Sequence, residues 1–319
     1  MAPRTVEVGL NAAIVAVADG TPLVLVTPAE DGVADGAEGL PFGAFDPLLH
    51  RTFESGLRSL VGEQTSHALG YVEQLYTFGD RGRLAAPGDE EAHIVSVGYL
   101  ALTRIEDSDG EPRETTDAAW QSFYRYFPWE DWRAGKPEMI DATILPKLGD
   151  WAAGTGSSAA RTERLRLAFG ASGLPWDEER VLERYELLYE AGLIEEAVRD
   201  GRLPAVRSEL PLGRSMQFDH RRILATAIAR LRSKLKYRPV IFELMPATFT
   251  LSELQRVVEA IAGRHLHTQN FRRFVENTAL VEATGGSSAR TGGRPAALFR
   301  FRKEVLSERP SPGIRIGRA

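Results

Sequence analysis

The 319 residues contain no cysteine. Disulfide frameworks, thiolate metal sites and cysteine nucleophiles are therefore excluded, and any catalysis would have to come from other groups. No stretch approaches the roughly eighteen uninterrupted apolar residues of a membrane span, and the opening Met1-Ala2-Pro3-Arg4-Thr5-Val6 lacks the apolar run of a signal peptide. A cytoplasmic protein with no membrane partner is expected. Apolar residues make up 43% of the chain, enough to bury a core in each of two domains.

The net charge of −5 hides an asymmetry. Residues 219–319 carry nineteen Lys/Arg against eight Asp/Glu, while residues 1–218 carry twenty against thirty-six. The two parts are thus +11 and −16. A polyanion is drawn to the first and repelled by the second, as expected of a nucleic-acid-binding module on an acidic partner domain; a merely solvated basic surface is the alternative.

Residues Thr5 to Val26 predict a hairpin, with apolar runs at 12–17 and 23–26 around the turn pair Asp19-Gly20. Asp46 followed by Pro47 predicts the start of an amphipathic helix over about 47–64, with Leu49, Phe53, Leu57, Leu60 and Val61 on one face. Gly56 and Gly62 inside it each cost roughly 1 kcal/mol relative to alanine. Strand-like runs follow around Tyr71–Thr77 and His93–Leu102. From about Trp120 to Arg207 the pattern turns helical, with Gly192 or Gly201 as stops and the small-residue stretch Ala152–Ala160 as a joint. The whole reads as an α+β protein.

In the basic part, Asp219 to Leu235 predicts a helix with the stripe Ile223, Leu224, Ala227, Ile228, Leu231 and Leu235. Thr250 with Glu253 satisfies the capping-box pattern of a second helix, and Gly263-Arg264 makes the turn. A third helix, His267 to about Asn277, buries Phe271, Phe274 and Val275 and turns Gln269, Asn270, Arg272, Arg273 and Glu276 outward. Arginine can bind guanine O6/N7 bidentately, and asparagine or glutamine adenine N6/N7, so this face suits a major groove. Short strands Leu280–Ala283 and Ala297–Phe301 flank a loop with Arg290 and Arg294, a wing whose arginines would reach phosphates or a minor groove. A winged helix used for protein contacts is the alternative. His265 and His267 lack the further ligands of a metal site.

The strings Phe218-Asp219-His220-Arg221-Arg222, Lys236-Tyr237-Arg238-Pro239, Phe249-Thr250-Leu251-Ser252-Glu253-Leu254-Gln255, Gln269-Asn270-Phe271-Arg272-Arg273 and Gly293-Arg294-Pro295-Ala296 resemble the C-terminal part of the Nudix-related transcriptional regulators of NAD metabolism. Leu40-Pro41-Phe42-Gly43-Ala44-Phe45, Phe78-Gly79-Asp80-Arg81-Gly82-Arg83 and Val95-Ser96-Val97-Gly98-Tyr99-Leu100 extend the likeness upstream. It implies a Nudix-like α/β/α sandwich over 1–134, a helical insert over 135–211 and a winged helix-turn-helix over 212–319. It also implies a repressor of NAD biosynthesis or salvage genes, binding a palindromic operator as a homodimer and sensing ADP-ribose, NAD, NMN or ATP.

A working Nudix box holds Mg²⁺ with several helix-borne carboxylates. With Arg58 as the box arginine, Ser59 and Gly62 replace two of them, only Glu63 survives, and the upstream acidic position falls on His50; counting from Gly43 instead gives Leu49, Leu57, Arg58 and Gly62. Too few oxygens remain, so no catalytic residue, metal or cofactor is expected; a Nudix pyrophosphatase with an atypical metal site is the alternative. Candidate ligand residues are Arg58, Glu63, Tyr76, Arg81 and Arg83, the last two as fork-shaped donors for a diphosphate. Phe42, Phe45 and Tyr76 are candidates to stack on adenine. The candidates for DNA are Gln269, Asn270, Arg272, Arg273, Arg290 and Arg294.

Overall fold

A computed structural model describes residues 6–29, 37–65, 67, 69–80, 93–105, 118–154, 158–201, 212–288 and 295–305. Strand β1 (Val6–Ala18) is the axis of the N-terminal part. Asp19 and Gly20 both take left-handed backbone angles, φ 49° and 72°, and return the chain directly into β2 (Thr21–Pro28), with Ala18 opposite Thr21. This is the two-residue hairpin that the Asp-Gly pair encodes. β3 (Glu38–Gly39) lies beside β2, and β4 (Phe42–Ala44) pairs with β1 over Gly9–Asn11. β5 (Tyr71–Phe78) and β6 (His93–Leu102) complete the other side, with β6 parallel to β1 from Val6 to Val15. β7 (Ala119–Ser122) closes on β2, making a mixed seven-stranded sheet.

Alternation along β1 divides its side chains between two cores. Leu10, Ala12 and Ile14 meet Leu57 and Val61 of α1 (Phe53–Thr65) on one face. Ala13 and Val15 point into a larger core on the other, shared with the C-terminal helices. The sheet is thus sandwiched between helices from opposite ends of the chain.

Helix α1 starts six residues later than its sequence predicts. Asp46 caps only a turn, accepting the Leu48 N–H through Oδ1 at 2.7 Å, and Leu48 and Leu49 are exposed. Thr52 supplies the effective cap: its Oγ1 accepts the Ser55 N–H at 3.1 Å, and Ser55 Oγ accepts the Thr52 N–H at 3.2 Å. A short reciprocal cap outcompetes Asp-Pro because the following apolar stripe begins only at Gly56-Leu57.

The helical expectation for Trp120 also fails, since Trp120 sits in β7 opposite Leu25. An edge strand of four residues, bounded by stretches of different pattern, is too short to show a period of two. Beyond it run short 3₁₀ turns at Phe123–Arg125 and Pro128–Glu130, a π turn at Ile140–Ile144, then α2 (Leu145–Ala153), α3 (Ser158–Phe169), α4 (Val181–Glu190) and α5 (Glu195–Arg199). The small-residue stretch is largely helical: Ala152 and Ala153 end α2 and Ser158 to Ala160 open α3, while residues 155–157 lie outside the described residues. Gly192 and Gly201, at φ 70° and 72°, follow the ends of α4 and α5 as the stop signals indicated.

Helix α6 (His220–Leu235) carries the predicted stripe, every member of it fully buried. It also buries His220, Arg221 and Arg232, because it runs between the sheet and α4 and is covered on nearly all sides. After a 3₁₀ turn at Val240–Leu244 come α7 (Leu251–Ala262) and α8 (Thr268–Thr278), then the hairpin β8 (Val281–Ser288) and β9 (Ala296–Phe301). The hairpin is longer than expected, absorbing Gly285 to Ser288 into β8. Phe249 joins it as a third edge, exchanging backbone hydrogen bonds with Phe299 at 3.0 and 2.8 Å. Among the described residues no helix is long and apolar enough to cross a membrane.

Candidate nucleic-acid interface and nucleotide-sensing surface

The helix-turn-helix is defined by local chemistry. Thr250 and Glu253 form both halves of the capping box at the start of α7. Gly263, at φ 73°, ends that helix in the left-handed conformation that glycine adopts most cheaply. Glu259 then fixes the turn. Its Oε1 accepts the Leu266 N–H at 2.8 Å and the Gln255 amide at 2.8 Å, and its Oε2 lies 3.0 Å from His265 Nδ1. Partial burial pushes this carboxyl up, but those three donors outweigh it and hold the group below the ordinary carboxylate value.

Helix α8 follows, with Phe271 and Val275 buried beneath it and Gln269, Asn270, Arg272 and Arg273 all exposed. Asn270 and Arg273 stand one turn apart, with Arg273 Nη2 donating to Asn270 Oδ1 at 3.5 Å. Arg272 turns the other way, towards the start of α7, where its Nη2 donates to Ser252 Oγ at 3.3 Å. Arg256, exposed on α7, donates to the Ser252 carbonyl at 3.4 Å. Two guanidinium groups therefore meet Ser252 at a helix N-terminus, an arrangement suited to an anion. Arg256 and Ser252 escaped the sequence reading; the i, i+4 spacing from the capped N-terminus was the available signal. Arg290 and Arg294 lie outside the described residues.

The +11 charge of the C-terminal part has a second explanation. Arg221, Arg222, Arg230, Arg232, Lys234, Lys236 and Arg264 all form ion pairs with carboxylates from residues 73–196. Seven of the nineteen cations thus neutralise the acidic part of the same chain. Among the described residues, the exposed Arg256, Arg272 and Arg273 of α7 and α8 are outside that set and remain to face a polyanion.

On the α1 side of the sheet, Arg58 Nε and Nη2 bind Glu54 Oε1 at 3.0 and 2.9 Å, and its Nη1 donates to the Leu69 carbonyl at 2.6 Å. Glu63 accepts Ser59 Oγ at 2.8 Å. Glu54 and Glu63 are nine positions apart in sequence, hence on opposite sides of α1 at about 100° per residue. Tyr76 is exposed on β5, its ring edge-on to Phe78, which belongs to the core on the α6 face. Arg58 and Glu63 ride on α1, which covers the other face. The structure therefore does not gather these three candidates into one cluster. Arg81 and Arg83 lie outside the described residues; their neighbour Asp80 is ion-paired with Arg222 of α6. Phe42 packs against Phe218 and His220, with ring centroids 6.2 and 5.5 Å apart, and Phe45 against Phe53 at 4.7 Å. Both are engaged within the protein.

Residues 241–301 match the NrtR DNA-binding winged helix domain. An ADPR responsive transcriptional repressor, NtrR of Acinetobacter baylyi, is 42% identical over 96 residues, which are 30% of this chain and 38% of the relative. The match thus spans little more than a third of that protein. The crystal structure of Shewanella oneidensis NrtR complexed with a 27mer DNA superposes with a TM-score of 0.56 at 21% identity, covering 94% of this chain and 95% of that one. A MutT/nudix family protein from Enterococcus faecalis superposes with a TM-score of 0.53 at 14% identity, over 93% and 87%. At these identities the superpositions establish the fold. Residues 241–301, which hold α7, α8 and the hairpin, thus match the NrtR winged helix domain, and the chain as a whole shares the fold of these two solved structures.

Proposed function

We propose that this chain is a repressor of NAD biosynthesis or salvage genes, binding a palindromic operator as a homodimer through α8 and the β8–β9 hairpin. ADP-ribose, or NAD, NMN or ATP in its place, sets its DNA affinity by binding the Nudix-fold domain. The reading rests chiefly on the winged helix match over 241–301, coupled with an exposed α8 face of Gln269, Asn270, Arg272 and Arg273. The ADPR responsiveness of the Acinetobacter relative supports the effector class. Hydrolysis is not part of the proposal. Ser59 and Gly62 stand where the box needs carboxylates, and Glu54 and Glu63 point to opposite sides of α1.

Fluorescence-anisotropy titrations on upstream DNA of NAD genes, with and without ADP-ribose, test it. Salt-dependent binding that shifts with the nucleotide is the expected result. No specific DNA binding, together with Mg²⁺-dependent turnover of ADP-ribose, would instead assign the chain to the pyrophosphatases.

A further inference from the structure

Three carbonyl groups at the end of α7 are satisfied from outside the winged helix match. Tyr124 Oη donates to the Ala260 carbonyl at 2.7 Å, Arg232 Nε to that of Ile261 at 2.9 Å, and the Trp132 N–H to that of Gly263 at 2.7 Å. Tyr124 and Trp132 belong to a single segment, 119–132, and Glu130 of the same segment anchors Arg232, with Oε2 at 2.6 Å from Nη1. The contact is close. A Cβ at Gly263 would stand 2.3 Å from the Glu130 carbonyl oxygen and 2.8 Å from Tyr124 Oη.

The other end of this segment is β7, hydrogen-bonded to β2 of the sheet. Trp120 there packs in the core beneath α1 and against His67, with ring centroids 5.6 Å apart. The helical insert supplies a second anchor. Arg184 of α4 is fully buried, binds both Glu130 oxygens at 2.6 and 2.8 Å and stacks on Trp176 at 3.8 Å. Burial pushes the Glu130 carboxyl up, yet Arg184 and Arg232 on its two sides hold it below the ordinary carboxylate value. The backbone of this one segment thus links β7, which packs beneath α1, to a set of buried polar contacts at the turn that precedes α8.

We infer that segment 119–132, through Tyr124, Glu130 and Trp132, is the positioning element that sets the helix-turn-helix relative to the nucleotide-sensing sheet, with Arg184 of the insert as its brace. The inference rests on the functional reading above for what is sensed and what is bound. A change at the α1 face that shifts β7 reaches α8 through this joint, because the α7 end is held by the segment rather than by solvent.

Tyr124→Phe removes the hydroxyl and keeps the ring. Hydrogen–deuterium exchange on the full chain, without DNA or nucleotide, is expected to quicken at the amides of 264–268 and α8 while the sheet strands stay unchanged. Unchanged exchange in the turn, or faster exchange spread evenly over the whole molecule, overturns the joint. In operator titrations the wild-type ratio of affinities with and without ADP-ribose, of about 5–150-fold for an ordinary allosteric coupling, should fall towards one in the variant, with its ADP-ribose affinity by calorimetry unchanged. A variant that keeps the wild-type ratio overturns the coupling. Glu130→Gln, checked for folding by near-UV circular dichroism, should show the same turn-localised exchange and loss of coupling; wild-type exchange and coupling in the folded variant count against the joint. If wild-type protein binds no operator, the functional reading fails by itself, and the exchange experiment still decides whether the joint exists.

Discussion

Two glycines of α1, similar in sequence, differ in what surrounds them. A Cβ at Gly56 would meet the Phe45 ring at 3.0 Å and Leu10 Cδ1 at 3.2 Å, whereas one at Gly62 meets nothing within 4 Å. Gly62→Ala should therefore stabilise the protein by about 0.5–1 kcal/mol by restricting the unfolded chain. Gly56→Ala should lose part or all of that gain to crowding against the sheet. Urea denaturation of both variants checks the ordering, and equal effects would contradict it. A second residue-scale expectation concerns His220. It is fully buried, its Nδ1 accepts the Leu40 N–H at 3.0 Å, and burial, aided by the nearby Arg199 charge, pushes it from the ordinary 6.5 down to about 3. The folded protein therefore refuses a proton that the unfolded chain accepts. The associated stability is fully present above pH 6.5 and is lost as the pH falls towards 3, with a limiting slope of about 1.4 kcal/mol per pH unit. Folded His220→Asn protein should lose less stability than wild type between pH 6.5 and 4.5, and parallel curves would rule out the assignment.

At the scale of elements, the helices of the winged domain were legible because each carried its own punctuation: a capping box at Thr250, a left-handed glycine at 263, an apolar stripe at 271 and 275. Helix α1 was legible in its stripe and misread at its start, where two capping signals competed within seven residues. β7 was invisible, because its pairing with β2 bridges about a hundred residues of sequence and its four residues show no period. The candidate ligand residues of the N-terminal part meet the same limit. Residue type and position single out Arg58, Glu63 and Tyr76, while the faces they occupy depend on sheet topology. On the DNA side, α8 divides its polar residues. Asn270 and Arg273 share the outward face, so alanine at either should cost about 1–3 kcal/mol on operator DNA and leave scrambled DNA little affected. Arg256 and Arg272 converge at Ser252, and alanine at either should weaken binding to all sequences and lower the salt slope by about one for each phosphate no longer neutralised. Titrations at several salt concentrations separate the two pairs. Identical salt slopes and identical specificity ratios for all four variants would refute the division.

For the molecule as a whole, the apolar core on the α6 face is continuous: Val15 and Leu100 of the sheet, Tyr185 and Leu188 of α4, Leu224 and Ile228 of α6, and Leu254 and Val258 of α7 belong to one cluster. Ion pairs from α6 reach Glu73, Glu130 and Glu196 on three different elements. Thermal unfolding should accordingly be a single cooperative transition, with calorimetric and van't Hoff enthalpies in agreement. Two resolved transitions would mean that the winged helix is energetically separate from the sheet.

The placement of α6 also sets an order of events during synthesis. All strands of the sheet have been made once Ser122 has been added, and α1 is already there to cover one face. The other face is covered by α6 and α7, whose residues are added about a hundred positions later. At ribosomal rates of about 5–20 residues per second, the apolar side chains of that face wait on the order of 5–20 s for their cover. A nascent chain of this protein therefore spends seconds as a half-clad sheet, a natural client for the chaperones that attend the ribosome exit.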